Sequence, residues 1–284
     1  MTRMIATGIC VLGAVLFVAG CGSGSDEEYA DRMATEHEAD RPVPGGLAAS
    51  AVDPSVTIDE TEVTYATVND NSITGFLARP AEGDGKAGVI VIQEWWGLND
   101  NIRAMARRLA AEGYVALAVD LYEGQVAEES ARARELMSAA MKRAESLEDN
   151  LRQAHRYLEE QGVETTGVIG WCFGGGWSLR TALLLPDEID ATVIYYGRLV
   201  TDSERLAMLE SPILGLFGSE DQGIPLESVR EFESVLESLG KDATIHVYEG
   251  ANHAFANPSG TRYDADAAED AWKKTLEFFT ANLK

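Results

Sequence analysis

Cysteine is scarce in this chain: three residues in 284, at positions 10, 21 and 172. Positive charge is scarce too, with 23 Lys and Arg against 47 Asp and Glu, for a formal net charge of −24. That shortage argues against a nucleic-acid partner, which needs a basic patch. There is no C-x-x-C and no H-E-x-x-H, so no metal site is visible and no cofactor is expected. The apolar run at residues 5–20 falls short of the roughly 20 residues that cross a bilayer as a helix. Core-forming material is plentiful, however. Apolar residues make up 45% of the chain, enough for one large domain or two small ones.

Arg3 before the apolar run and small residues after it have the form of a secretory signal. The ending "VAGC" resembles the lipobox of bacterial lipoproteins, which are cut before the cysteine and acylated on it. The resemblance implies a signal peptide at 1–20 and a lipid on Cys21. It also implies an exported protein held at a membrane outside the cytoplasm. The alternative is an uncleaved anchor helix. Cys10 then leaves with the signal and Cys21 is blocked, so Cys172 is the one free thiol, with no intramolecular disulfide partner. It is either an inert buried cysteine or a reactive one.

Residues 21–55 are polar and interrupted by "RPVPGG" and "AASAVDP", and are expected to be a tether with a short helix around 26–39. His37 is expected to be solvated there. Residues 56–284 then form the domain. "VTYATV" and "SITGFLAR" alternate around "NDN", which predicts a β-hairpin. After it, strands and helices take turns. "GVIVIQ", "YVALAVD", "TGVIG", "ATVIYYG", "PILGLFG" and "ATIHVYEG" are strand-like. Helices are expected over 101–113, over 128–160 with a break near Leu147, after Cys172, over 226–239 and over 267–283. Continuous apolar strands alternating with helices predict an α/β fold, a mostly parallel sheet with helices on both faces.

Gly170-Trp171-Cys172-Phe173-Gly174 fits G-x-nucleophile-x-G, with cysteine where serine is usual, between a strand and a helix. Such an elbow exposes the nucleophile on strained backbone, and the helix N-terminus beside it favours thiolate. A base and an orienting acid are expected in the order nucleophile, acid, histidine. Asp221 in "GSEDQGIP" and His253 in "GANHAF" follow strands, where open α/β sheets carry their sites. Glu220 is an alternative acid. His155 lies on a polar helix and His246 within a strand, so both compete poorly.

"QEWWG", "AVDLY", "GWCFGGG", "YYG", "GSEDQGIP" and "GANHAF" occur in the order of the landmarks of the dienelactone hydrolase family, and residues 62–284 resemble that family of α/β-hydrolases. The resemblance implies a Cys172–His253–Asp221 triad and a Glu94 that contacts the resting thiol. It also implies an oxyanion hole formed by the N–H groups of Trp95 and Phe173. The expected substrate is a small carboxylic ester or lactone, with a thioester next in line. The rival class is a non-catalytic small-molecule-binding protein on the same fold. Family members acting on anionic lactones hold the substrate carboxylate with two arginines, and Gly124 and Asn257 stand at those positions. Arg198 is a candidate to compensate.

Overall fold

Strands whose every residue is buried need cover on both faces, and this chain has four of them at its centre. β3 (Ala87–Ile92), β4 (Val115–Val119), β6 (Ala191–Tyr195) and β7 (Ile213–Gly218) are buried throughout. The computed structural model describes residues 25–40, 56–83 and 85–284. The signal-peptide expectation and Cys21 lie outside the described residues.

β1 (Ile58–Val68) and β2 (Asn71–Pro80) form the expected hairpin, with Asn69 and Asp70 at positive φ in its turn. Asn and Asp tolerate that conformation because their short polar side chains bond locally. With β5 (Thr165–Trp171) and β8 (Ala243–Tyr248) they complete one eight-stranded sheet in the order β1-β2-β4-β3-β5-β6-β7-β8. All pairings from β4 onward are parallel, while β1–β2 and β2–β4 are antiparallel.

Six longer helices cross the domain among the described residues, and a single turn, α6 (Ser203–Leu206), lies between β6 and β7 in the chain. α2 (Asp100–Ala111) and α8 (Ala265–Leu283) share one face of the sheet, joined by the Arg108 guanidinium over the Trp272 ring at 4.1 Å. α4 (Ala144–Glu160) and α5 (Phe173–Leu184) share the other, joined by Arg180 and Glu148 at 3.2 Å. α7 (Leu226–Ser238) lies between β7 and β8 in the chain, and α3 (Ser130–Met141) precedes α4. The helical break falls at Lys142–Arg143, not near Leu147. Leu147 is buried inside α4, where core contact keeps the helix running through it.

The chain leaves β3 toward α2 on one face and leaves β5 toward α5 on the other. The carboxyl ends of these adjacent strands therefore diverge, opening a crevice at the point where the winding reverses. Glu94, Cys172, Asp221 and His253 all follow strands at that carboxyl edge. One further helix, α1 (Asp26–Glu36), comes from the segment expected to be a tether. Ser25 and Glu28 close a reciprocal capping box at its start. Tyr29, Ala30 and Met33 are buried against the domain instead of facing water.

Candidate active site

Cys172 is the N-cap of α5, with φ 54 and ψ −114, a conformation that costs an L-residue free energy and persists only where the surroundings enforce it. They do so here by leaving no room. A Cβ on Gly170 would lie 2.2 Å from the Gly174 carbonyl oxygen, and one on Gly174 would lie 2.4 Å from that of Ile92. Glycine at both places lets the strand, the turn and the helix pass this close, and the turn aims Sγ across the sheet edge.

β7 and β8 deliver the next two groups. Asp221 follows β7, and its Oδ1 accepts from the Ile224 N–H at 2.8 Å. Its Oδ2 accepts from His253 Nδ1, on the loop after β8, at 2.8 Å. Both side chains are wholly buried. Burial alone would depress the imidazole. The Asp221 carboxylate and Cys172 outweigh it and hold His253 well above the usual histidine range. His253 Nε2 is buried without a hydrogen-bond partner and faces the thiol.

At the end of β3, Trp95 and Trp96 are fully buried, and neither the Trp95 nor the Phe173 amide enters a loop or cap hydrogen bond among the described residues. Phe173 is the first residue of α5, so its N–H has no carbonyl partner in its own helix. Glu94 differs from expectation. No hydrogen bond joins it to Cys172 among the described residues. Its Oε2 instead accepts from Asn257 Nδ2 at 2.7 Å. Burial raises its pKa to about 7 against the opposing pull of His253. Asn257 thus occupies the expected arginine position as a neutral donor to a second site residue. Gly124 takes φ +81 with open space around it, and its N–H donates to Asp120 Oδ2.

The group that the sequence did not point to is His37. Far from solvated, it is 1% exposed and stacks on Trp95 with ring centroids 4.6 Å apart. Its Nε2 lies 4.0 Å from Cys172 Sγ, and its Nδ1 pairs with Asp40 Oδ2 at 2.8 Å. Burial pulls its pKa down to about 4, Asp40 opposing and His253 and Arg262 assisting. From α1, Met33 Sδ accepts from the thiol at 3.6 Å. The methionine methyl sits directly over Gly223, where a Cβ would lie 2.1 Å from Met33 Cε and push that flexible side chain aside.

Polar contacts rim this cover. Arg262 binds Glu36 at 2.7 Å and Asp40 at 3.1 Å, and Asp40 also accepts from the Thr261 N–H and hydroxyl. Arg134 binds Asp31, and Ser130 donates to the His37 carbonyl at 2.5 Å. Arg198, the candidate carboxylate holder, is engaged by the cover as well. It binds Asp26 at 2.6 Å and lies over the Tyr29 ring. A groove of about 440 Å³ runs beside α1 between Tyr29, Phe173, Trp177, Arg180 and Arg198. It reaches Phe173, while Cys172 itself is 0% exposed. Behind Glu94, Asn257 and Tyr196 is a space of about 20 Å³, room for one water at the unpartnered Glu94 Oε1.

Residues 73–283 match the family model described as "Dienelactone hydrolase family". A protein of Saccharolobus solfataricus named "Putative carboxymethylenebutenolidase" is 33% identical over 256 residues, covering 77% of this chain and 97% of its own. The solved "Putative Dienelactone Hydrolase" of Klebsiella pneumoniae superposes with a TM-score of 0.71 at 28% identity. That match covers 79% of this chain and 99% of the other. A metagenomic protein described as a dienelactone hydrolase-like promiscuous phosphotriesterase has a TM-score of 0.72 at 22% identity, covering 80% and 99%, and shares the fold. The chain belongs to the dienelactone hydrolase family and is a hydrolase of carboxylic esters or lactones.

Proposed function

We propose that Cys172 is the nucleophile, His253 the base and acid, and Asp221 its orienting partner, acting on a neutral ester or lactone. The supporting observation is the strained Cys172 backbone at the N-terminus of α5, beside an imidazole bonded to a buried carboxylate. With Nδ1–H donating to Asp221, His253 Nε2 is free to take the thiol proton. The raised proton affinity of this histidine suits it to accept that proton. Sulfur attacks the carbonyl carbon, and the carbonyl electrons move onto oxygen. The Trp95 and Phe173 N–H groups are the donors in place to meet that charge, one such donor being worth about 3 kcal/mol in comparable sites. Collapse expels the alkoxide, which takes the proton from His253. Water then attacks the thioester with His253 as base, releasing the acid and restoring the thiol.

Cys172 is covered, so α1 has to shift before a substrate carbonyl reaches Sγ. The groove beside α1 and the Phe173 amide mark the side from which substrate enters. A substrate carboxylate entering such a site needs a cation to offset its desolvation. Asn257 and Gly124 supply none, and Arg198 is held by Asp26. Neutral esters and lactones are therefore preferred over carboxylate-bearing analogues, by roughly tenfold to a hundredfold in kcat/KM, the worth of one charge-assisted hydrogen bond.

The test is a panel of matched neutral and anionic esters and lactones, assayed with wild type and Cys172→Ala. The variant is expected to fold and be inactive, and wild-type turnover in it would move the nucleophile elsewhere. Preference for the anionic series would return the carboxylate-binding role to Arg198. We further propose that the chain is an exported lipoprotein acylated at Cys21, from the "VAGC" ending. Fatty-acid labelling equal in wild type and Cys21→Ser would overturn that.

A further inference from the structure

Two imidazoles converge on one thiol, each backed by a carboxylate. Cys172 Sγ and one ring nitrogen each of His37 and His253 lie within 4.8 Å of one another, and all three residues are buried. His37 Nε2 is 4.0 Å from Sγ, and His253 Nε2 is unpartnered and aimed at the same space. On the far side of each ring, Nδ1 meets Asp40 or Asp221 at 2.8 Å. A metal-bound histidine commonly has that backing, because a carboxylate on the second nitrogen fixes the tautomer and strengthens the donor.

We infer that Cys172 Sγ, His253 Nε2 and His37 Nε2 form a three-ligand site for Zn²⁺, with the third ligand supplied by the N-terminal segment. Thiolate and imidazole donors select a late first-row cation over Mg²⁺ or Ca²⁺, which take oxygen. With Zn–S near 2.3 Å and Zn–N near 2.0–2.1 Å in a tetrahedron, the ligand atoms stand about 3.5 Å apart. The present triangle is looser by about 1 Å, within the reach of side-chain rotation. Binding displaces the thiol proton to solvent and forms three bonds to the metal, with no change of oxidation state. Asp40 and Asp221 face the resulting positive charge, and Arg262, 3.2 Å from His37 Nδ1, is balanced by Glu36 and Asp40. Met33 Sδ, a weak donor, lies 3.6 Å from Cys172 Sγ, and the fourth position takes water or that thioether.

The consequence is closure. Zinc ties up the sulfur and pins residues 25–40 across it, so metal-loaded protein does not hydrolyse. This consequence rests on Cys172 being the nucleophile, whereas the binding itself does not.

Cobalt is the probe. Titration of the metal-free full chain with Co²⁺ is expected to saturate at one ion per chain. It should give intense visible bands of tetrahedral geometry and a sulfur-to-cobalt band in the near ultraviolet, all erased by Zn²⁺. Cys172→Ser removes the sulfur band. His37→Ala weakens Zn²⁺ binding at least ~100-fold and Asp40→Asn about 10- to 100-fold, the usual cost of losing a carboxylate behind a metal-bound histidine. His246→Ala, on β8 away from the cluster, leaves affinity unchanged. Should His37→Ala fail to fold, H37Q carries the same comparison. A weak octahedral spectrum without a sulfur band overturns the site, as does equal affinity in wild type and the His37 variants. Zinc that binds with these signatures while hydrolysis continues leaves the site standing and removes Cys172 from catalysis.

Discussion

Asp221–His253 and Asp40–His37 are the same chemical pair at the same 2.8 Å, on either side of one thiol, yet their proton affinities move in opposite directions. His253 is buried but faces Asp221 and Cys172, whose attraction for a proton exceeds the burial cost. His37 is buried beside His253 and Arg262, and Asp40 does not make up the difference. An aspartate behind a histidine does not by itself make a base; the remaining neighbours decide. The two pairs are also held differently. One hangs on the two loops that follow the paired parallel strands β7 and β8. The other hangs on a single helix fastened by three buried side chains and a rim of ion pairs.

The largest effect should come from removing one imidazole at a time in metal-free protein. His253→Ala is expected to lower kcat/KM by at least ~10², the low end of what a general acid–base supplies. His37→Ala should raise kcat/KM by clearing the thiol. Equal losses in the two variants would make the pairs interchangeable and break the contrast.

Glu94 sharpens the comparison because it is a buried carboxyl that neither imidazole holds. Its folded pKa of about 7 lies above its ordinary 4.5, so the folded state binds the extra proton. The stability this group contributes is therefore full below about pH 4.5 and is lost as pH rises through 7. A shift of this size corresponds to at most about 3 kcal/mol. Glu94→Gln keeps an acceptor for Asn257 and removes the ionisation. Urea unfolding should show wild type losing ground to the variant between pH 4.5 and 8, and parallel pH curves would refute the assignment.

The smallest effect concerns the rim. Arg262→Ala cuts the bonds to Glu36 and Asp40 while leaving Cys172, His253 and Asp221 untouched. Charge-assisted bonds of this kind contribute roughly 1.5–3 kcal/mol, less where water screens them. Alkylation of Cys172 by iodoacetamide should accordingly speed up on the order of tenfold. An unchanged rate would mean that the cover is held elsewhere or does not gate the thiol.

Much of the sheet was legible from pattern alone. Fully apolar runs such as "GVIVI" and "LGLF" have no solvent face, and the hairpin turn "ND" sits where positive φ is needed. The elbow was legible because its glycines answer a local demand, the close passage of backbone at Gly170 and Gly174. His37 was missed because its segment is mostly charged and ends in Pro- and Gly-rich chain. A signal was nonetheless there. Tyr29, Met33 and His37 fall at i, i+4 and i+8, one stripe of a helix begun by a Ser-x-x-Glu cap. Glu94 went to Asn257 instead of the thiol, a pairing of side chains 163 residues apart that no local pattern encodes.

The alternation of elements, the elbow and the placing of Cys172, Asp221 and His253 after successive strands could all be read from the chain itself. Each of these depends on residues close in the chain, where backbone sterics and periodic burial act. What lies against the thiol depends instead on contacts between residues far apart in the chain. Met33 and His37 reach Sγ from 139 and 135 residues away. They do so because α1 buries its narrow apolar stripe in the crevice where β3 and β5 diverge. Which surface such a stripe meets depends on the shape and charge of the assembled domain: a groove that accepts Met33 over Gly223, and an arginine at 262 facing Glu36 and Asp40.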